Sequence, residues 1–331
     1  MNHPGTILSA KCIQELQARY KAKHPITLRA YAKLLQETPP DFTPTPCQKI
    51  CVMWDKSIDQ GEHIAIKDAP MAYRLALQFL LTQDPSYAAK SIQIITAWMN
   101  ACTTCTGDNQ QLSASWSQTL FARTLELLRY TYKDFPTTLI PRYMAWMNAV
   151  MLPAINKPIT WTFQAGPIKD LYTNWHASIL ECKIQYAILI NDTTAFKTCI
   201  GDFKKMVQVI IKLPYYLANE TLYRDHMHGC MSLASLTHVA EIAYHQGVDL
   251  YSDLLKNAIE ASAKISLGEI PPSLPQPIQK ASYWPYAWSI AYNHYVNRKN
   301  IPMPNTKRLL DQHPVDYSWL MSSSTALTHS R

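Results

Sequence analysis

Three short stretches hold side chains able to neutralise a carboxylate or move a proton. The densest is Arg224-Asp225-His226-Met227-His228, where Arg224 and His228 stand four apart and share a face if that turn is helical. The second, Tyr172-Thr173-Asn174-Trp175-His176, reads as a helix opening with Asn174 as its N-cap. For the first, the plainer reading, and the one chemistry alone favours, is a helix start with solvated charges. The third, Tyr292-Asn293-His294-Tyr295-Val296-Asn297-Arg298, follows Tyr283, Trp284, Tyr286 and Trp288. Aromatics at this density usually build a core. They also build sugar-binding grooves, where a flat ring packs on the apolar face of a pyranose, and Trp116 is a further stacking candidate.

Metal chemistry has two openings. His226 and His228 point apart on a helix, so a site there needs a loop or strand and a third ligand such as His176. Cys47-x-x-x-Cys51 and Cys102-x-x-Cys105 together have the makings of a four-thiolate zinc site, with free thiols or a local disulfide as the weightier alternatives.

The elements that position these groups are helices. In residues 69–81 the set Ala72, Leu75, Ala76, Phe79 and Leu80 recurs at three and four residues, and Thr82-Gln83-Asp84-Pro85 ends it before a second helix over 87–99. The pattern repeats over 120–130, 139–150, 175–190, 196–211, 233–245 and 252–265, and no strand series competes. Gly247 stands where a left-handed glycine closes a helix. Proline-rich segments at 38–46 and 269–277 read as loops rather than domain linkers. One domain over residues 1–331 is expected, all-α, an incomplete (α/α) toroid or barrel of helical hairpins around a groove suited to a long chain molecule.

Composition narrows the partners. The 331 residues hold 8 Gly, 22 Pro and 47% hydrophobic residues, which excludes disorder and collagen. The longest apolar stretch, 145–155, is broken by Asn148 and Pro153, so no membrane span is expected, and the start Met1-Asn2-His3-Pro4-Gly5 does not read as a Sec signal peptide. A net charge of +7 favours an anionic partner. Without basic runs or an arginine-rich helix, nucleic acid is disfavoured against acidic sugars and phosphates.

At these positions the chain resembles the alginate lyase superfamily of polysaccharide lyases. The shared pattern is Asn174-Trp175, then Glu220-Thr221 with Arg224-Asp225 and His228, then Ala240-Glu241-Ile242-Ala243 with Gln246-Gly247-Val248-Asp249-Leu250-Tyr251. Tyr292-Asn293-His294-Tyr295 with Arg298, Met303-Pro304-Asn305-Thr306 and the opening His3-Pro4-Gly5 corroborate it. The resemblance implies an α/α toroid that cleaves an anionic polyuronate by β-elimination, with no metal or organic cofactor. It implies Asn174 and Arg224 on the substrate carboxylate and His228 or His176 as base. A tyrosine would be the acid: the family's usual place, seven residues after the arginine, holds Met231, which leaves Tyr292, Tyr295, Tyr223 or a doubly used histidine. Trp116, Trp175, His294, Tyr295 and Arg298 are expected against the sugar. A toroid that binds carbohydrate without cleaving it, and a zinc-dependent hydrolase built on His226, His228 and His176, are the competing expectations.

Overall fold

Helical hairpins follow one another along the chain in the computed structural model, which describes residues 1–39, 41–159, 172–272, 274, 277–284, 286–314 and 324–329. The helices are α1 Ala10–Lys21, α2 Pro25–Gln36, α3 Glu62–Thr82, α4 Pro85–Ala101 and α5 Gln110–Thr131. After them come α6 Leu139–Trp146, a π-helical turn Met147–Met151, α7 Leu152–Ile155, α8 Asn174–Leu189, α9 Thr193–Ile210 and α10 Asn219–Tyr223. The series ends with α11 His226–His245, α12 Asp253–Ser266, α13 Trp288–Tyr292 running on through a π-helical turn Asn293–Arg298, α14 Pro304–Gln312 and α15 Thr325–Thr328.

Two kinds of helix alternate. Helices α3, α5, α8 and α11 are buried around nearly their whole circumference, whereas α9 and α12 bury one stripe and show solvent the other. The first set forms the inner ring: α5 packs on both α3 and α8, and α8 packs on α11. Inner helices leave polar side chains nowhere to go but one another. Arg123 of α5 and His238 of α11 therefore meet the buried carboxylate of Glu181 on α8, at 2.9 and 2.8 Å.

The inner helices run in one direction. At their starts, Glu62 of α3 accepts hydrogen bonds from Asn109 (2.6 Å) and Ser113 at the head of α5. At their far ends one strap of chain meets three of them. His3 contacts Glu126 of α5 at 2.7 Å and Asn191 beyond α8 at 2.7 Å, while Asn2 bonds to Gln246 and to the carbonyl of His245 at the end of α11. Gly5 fits because it lacks a side chain: a Cβ there would lie 2.0 Å from the Asn2 carbonyl oxygen and 2.2 Å from Gln246 Nε2. All inner N-termini thus open at the other end, which is where a groove for an anion belongs.

Most expected helices are present, several longer than the periodicity marks, and Gly247 closes α11 at φ +83°. Helices α1 and α2 lie where no helix was expected. Short strands also occur: β1 Lys49–Met53 pairs antiparallel with β2 Ile58–Gln60 and parallel with β3 Thr104–Gly107, and β4 Ile211–Lys212 pairs with β5 Leu217–Ala218. The strands carry too few residues to display an alternating pattern. Residues 41–46 of the first proline-rich segment carry neither helix nor strand; Pro40 of that segment and Ser273, Pro275 and Gln276 of the second lie outside the described residues. The eight cysteines are free thiols. Burial pushes Cys102 up to about 11 and Cys105 higher still, and among the described residues no three His, Cys, Asp or Glu side chains are arranged to hold a metal ion.

Candidate active site

The start of α8 differs from its expected form. Thr173, not Asn174, is the N-cap, and the role a glutamate usually has in a capping box falls to His176, whose Nδ1 accepts the Thr173 backbone N–H at 3.1 Å. A backbone N–H only donates, so Nδ1 is the bare nitrogen and the proton sits on Nε2. Burial pushes His176 down to about 4, so it stays a neutral imidazole that presents an N–H.

Relieved of capping, Asn174 turns inward to Glu220. Its backbone N–H donates to Glu220 Oε2 and its Nδ2 to Oε1, both at 2.7 Å. Ser232 Oγ donates to Oε2 at 2.8 Å, and Arg224 Nη1 lies 3.4 Å from Oε1. Glu220 is buried, and burial pushes its pKa up against the pull of Ser232, Asn174 and Arg224. Arg224 sits at the break between α10 and α11, at φ −132° and ψ −84°. It does not share a helical face with His228, as the spacing suggested. Its backbone N–H closes the last turn of α10 on the Glu220 carbonyl at 2.8 Å, and its guanidinium lies beside the Glu220 carboxylate with a quarter of the side chain exposed.

Asp225 is the N-cap of α11, accepting the His228 backbone N–H at 2.9 Å. The same carboxylate lies 2.8 Å from His228 Nδ1 through each of its oxygens, so Nδ1 carries the proton and Nε2 keeps its lone pair. Burial, then Arg224, holds His228 below its ordinary pKa, opposed by Asp225, so at neutral pH it is an unprotonated base. Asp225 is held low although burial raises it, because the His228 N–H groups and Lys280 outweigh burial; Lys280 Nζ is 3.4 Å from Oδ2. Lys280 was not singled out in the sequence, where it stands among prolines and aromatics with no neighbouring charge. Gly229 is equally part of the site: a Cβ there would meet Thr221 Oγ1 at 1.8 Å, so only glycine lets α10 approach the first turn of α11.

Trp175 is buried one residue on, and Trp54 stands half exposed and edge-on to it with ring centroids 5.9 Å apart. Trp54 lines a pocket of about 540 Å3 with Asp108, Gln111 and Lys157. It too escaped the sequence reading, being on a short hairpin. Trp116 is half buried and donates Nε1–H to Ser178 Oγ at 3.3 Å, one turn into α8.

The remaining expected residues lie elsewhere. Arg298 is paired with Glu241 at 2.7 Å, His294 stacks on Tyr251 at 3.6 Å, and the Tyr295 hydroxyl donates to the Ser252 carbonyl at 2.7 Å. Glu241 is thirteen residues beyond His228 on α11, roughly 20 Å at 1.5 Å per residue, so these three belong to the strapped end of the toroid rather than to its groove. Tyr292 is buried in the main core, as is Met231, while Tyr223 packs half buried beside Leu217, Leu222 and Ile265. His226 points away from His228, with Nε2 3.1 Å from Ser266 Oγ and 3.4 Å from Cys230 Sγ. The zinc-hydrolase expectation therefore has no converging ligand set among the described residues.

A family model described as Alginate lyase matches residues 47–266. No curated protein sequence matches the chain. Among solved structures, alginate lyase A1-III from Sphingomonas species A1 superposes with a TM-score of 0.71 at 14% identity, covering 96% of this chain and 94% of that one. An alginate lyase from Bacteroides ovatus gives 0.62 at 14%, over 94% and 95%. A histidine-to-alanine variant of A1-III complexed with tetrasaccharide gives 0.64 at 16%, over 92% and 94%. At such identities the structural likeness speaks for the fold, an α/α toroid.

Proposed function

The chain belongs to the alginate lyase family and is a polysaccharide lyase, and from that premise we propose that it opens a uronate polymer by β-elimination without a metal. One observation carries the reading: a histidine with a free Nε2, fixed by Asp225, stands beside an arginine and an asparagine gathered on one buried carboxylate. The proton on C5 of a uronate is a poor acid while the neighbouring carboxylate keeps its charge. Arg224 and Asn174 neutralise that carboxylate, which is the service a metal renders in other elimination enzymes. His228 Nε2 takes the C5 proton, the C4–C5 double bond forms, the C4–O4 bond breaks, and O4 must receive a proton.

No tyrosine stands seven residues after Arg224, and the Tyr295 hydroxyl is engaged with Ser252. We assign both proton transfers to His228, which returns the C5 proton to O4 from the same nitrogen. A single group serves both atoms only when C5–H and C4–O4 lie on one ring face. That holds for mannuronate and glucuronate and fails for guluronate and galacturonate. The binding of tetrasaccharide by solved relatives supports an oligosaccharide in the groove.

The test is incubation with alginate, glucuronan, hyaluronan and pectate while following the ultraviolet absorbance of the unsaturated product. Absorbance rising with mannuronate-rich alginate or a glucuronate polymer is expected. Product from pectate alone would refute the one-face assignment, and no product from any polymer would leave the binding toroid as the better reading.

A further inference from the structure

We propose that Glu220 is a positioning residue of this site, holding the two carboxylate-neutralising groups in one fixed arrangement without touching substrate; the proposal rests on the lyase reading. Every partner the structure gives its side chain is a donor. Asn174 N–H and Ser232 Oγ–H reach Oε2, at 2.7 and 2.8 Å, and Asn174 Nδ2–H and Arg224 Nη1–H reach Oε1, at 2.7 and 3.4 Å. A carboxyl group surrounded by donors accepts through both of its oxygens, and a buried one with these partners has no freedom to swing.

Two consequences follow for the reaction. The Asn174 amide can turn over in most settings, but here Glu220 accepts from Nδ2, so the amide has one orientation before substrate arrives, with its second Nδ2 hydrogen left for the uronate carboxylate. Arg224 ends α10 one turn after Glu220, with φ −132° and ψ −84° outside the helical region, and Oε1 is a fixed acceptor that its guanidinium meets. Because Glu220 also takes the first backbone N–H of α8, one carboxylate ties the head of that helix to α10 and to the first turns of α11. The substrate's carboxylate then meets an asparagine and an arginine whose arrangement is set before it arrives.

Glu220→Gln tests this. The amide has one acceptor where the carboxylate has two, so at least one of the donors around it loses its partner whichever way the glutamine lies. The expected result on mannuronate-rich alginate is a loss of about 10- to 100-fold in kcat/KM, the scale seen when groups that orient ligating side chains are removed. The pH limbs should stay in place, since the base is untouched. In an Asn174→Ala background the same substitution should cost measurably less than in the parent, because one of the two groups it positions is gone, and in an Asn174→Ala/Arg224→Ala background less than about threefold, because both are. An equal loss in all these backgrounds means a purely structural role and overturns the proposal, as does a folded Glu220→Gln enzyme within twofold of the parent. If Glu220→Gln fails to fold, Glu220→Asp, which keeps the charge and shortens the reach, carries the same cycle. A parent chain inert on every uronate polymer overturns the lyase reading and this role together, and is seen before any substitution is made.

Discussion

Replacing Asp225 by asparagine separates chemistry from folding at one position. Asparagine and aspartate cap helices about equally well, so Asp225→Asn keeps the acceptor for the His228 backbone N–H and should leave helicity and melting temperature near those of the parent. What it removes is the negative charge facing Nδ1 across 2.8 Å. As His228 accepts the C5 proton it becomes imidazolium, and a hydrogen bond to an ionised partner contributes roughly 1.5 to 3 kcal/mol. At about 1.4 kcal/mol per tenfold, that translates into a fall in kcat of about 10- to 150-fold. The pH profile adds a second readout. Asp225 is the raising influence on His228, against burial, Arg224 and Lys280, so its loss lowers the histidine's pKa further. A base works only when unprotonated, so the acid limb of kcat/KM should move to lower pH even as the maximum falls. A folded Asp225→Asn enzyme with parental turnover and an unmoved acid limb refutes the assignment of His228 as the base.

Arg224→Ala and His228→Ala should act on different steps: the histidine variant loses about 10²- to 10⁴-fold in turnover with binding retained, and the arginine variant also binds oligouronate more weakly, as calorimetry would measure. Turnover should survive prolonged chelation, because Arg224 and Asn174 supply the neutralising charge; activity lost to a chelator and restored by zinc or calcium contradicts this. At the strapped end, burial lowers His245 but Glu241 more than reverses it, raising it to about 10. Its contribution to stability is therefore complete below about pH 6.5 and fades as pH rises through 10. Melting temperature should fall over that window, and His245→Gln should flatten the slope.

The helical hairpins were legible because their apolar spacing is an intrinsic, local property. The motif around Arg224 and His228 was legible as chemistry, but its geometry was not. Helical spacing would put the two on one face if that turn were helical, whereas the chain breaks at Arg224, which ends α10 and pairs with Glu220 one turn back. Asn174 looked like a cap because asparagine so often is one; a threonine one residue earlier took that place, which no pattern rule distinguishes. Lys280 and Trp54 reach the site from a loop and a short hairpin, where sequence carries no period to follow. The tail motif misled in the opposite sense. Arg298 and His294 look like sugar contacts by type, yet a buried glutamate and a stacked tyrosine on neighbouring elements account for them.

The strap at the far end of the toroid has a kinetic meaning. Its bonds join residues 244 apart in the chain, while each hairpin joins neighbours. Closing so long a loop costs only about 5 kcal/mol of chain entropy by the logarithmic law, yet it has to wait for every hairpin in between to find its place. Ring closure should thus be the last event in folding and the first to reverse. A molecule whose strap has let go keeps its hairpins paired but no longer clasps three inner helices at a common end. Those same three helices, followed to their other ends, carry Trp116, Asn174 and His228, so a loosened strap is felt in the groove as lost registration between the groups that must meet the sugar.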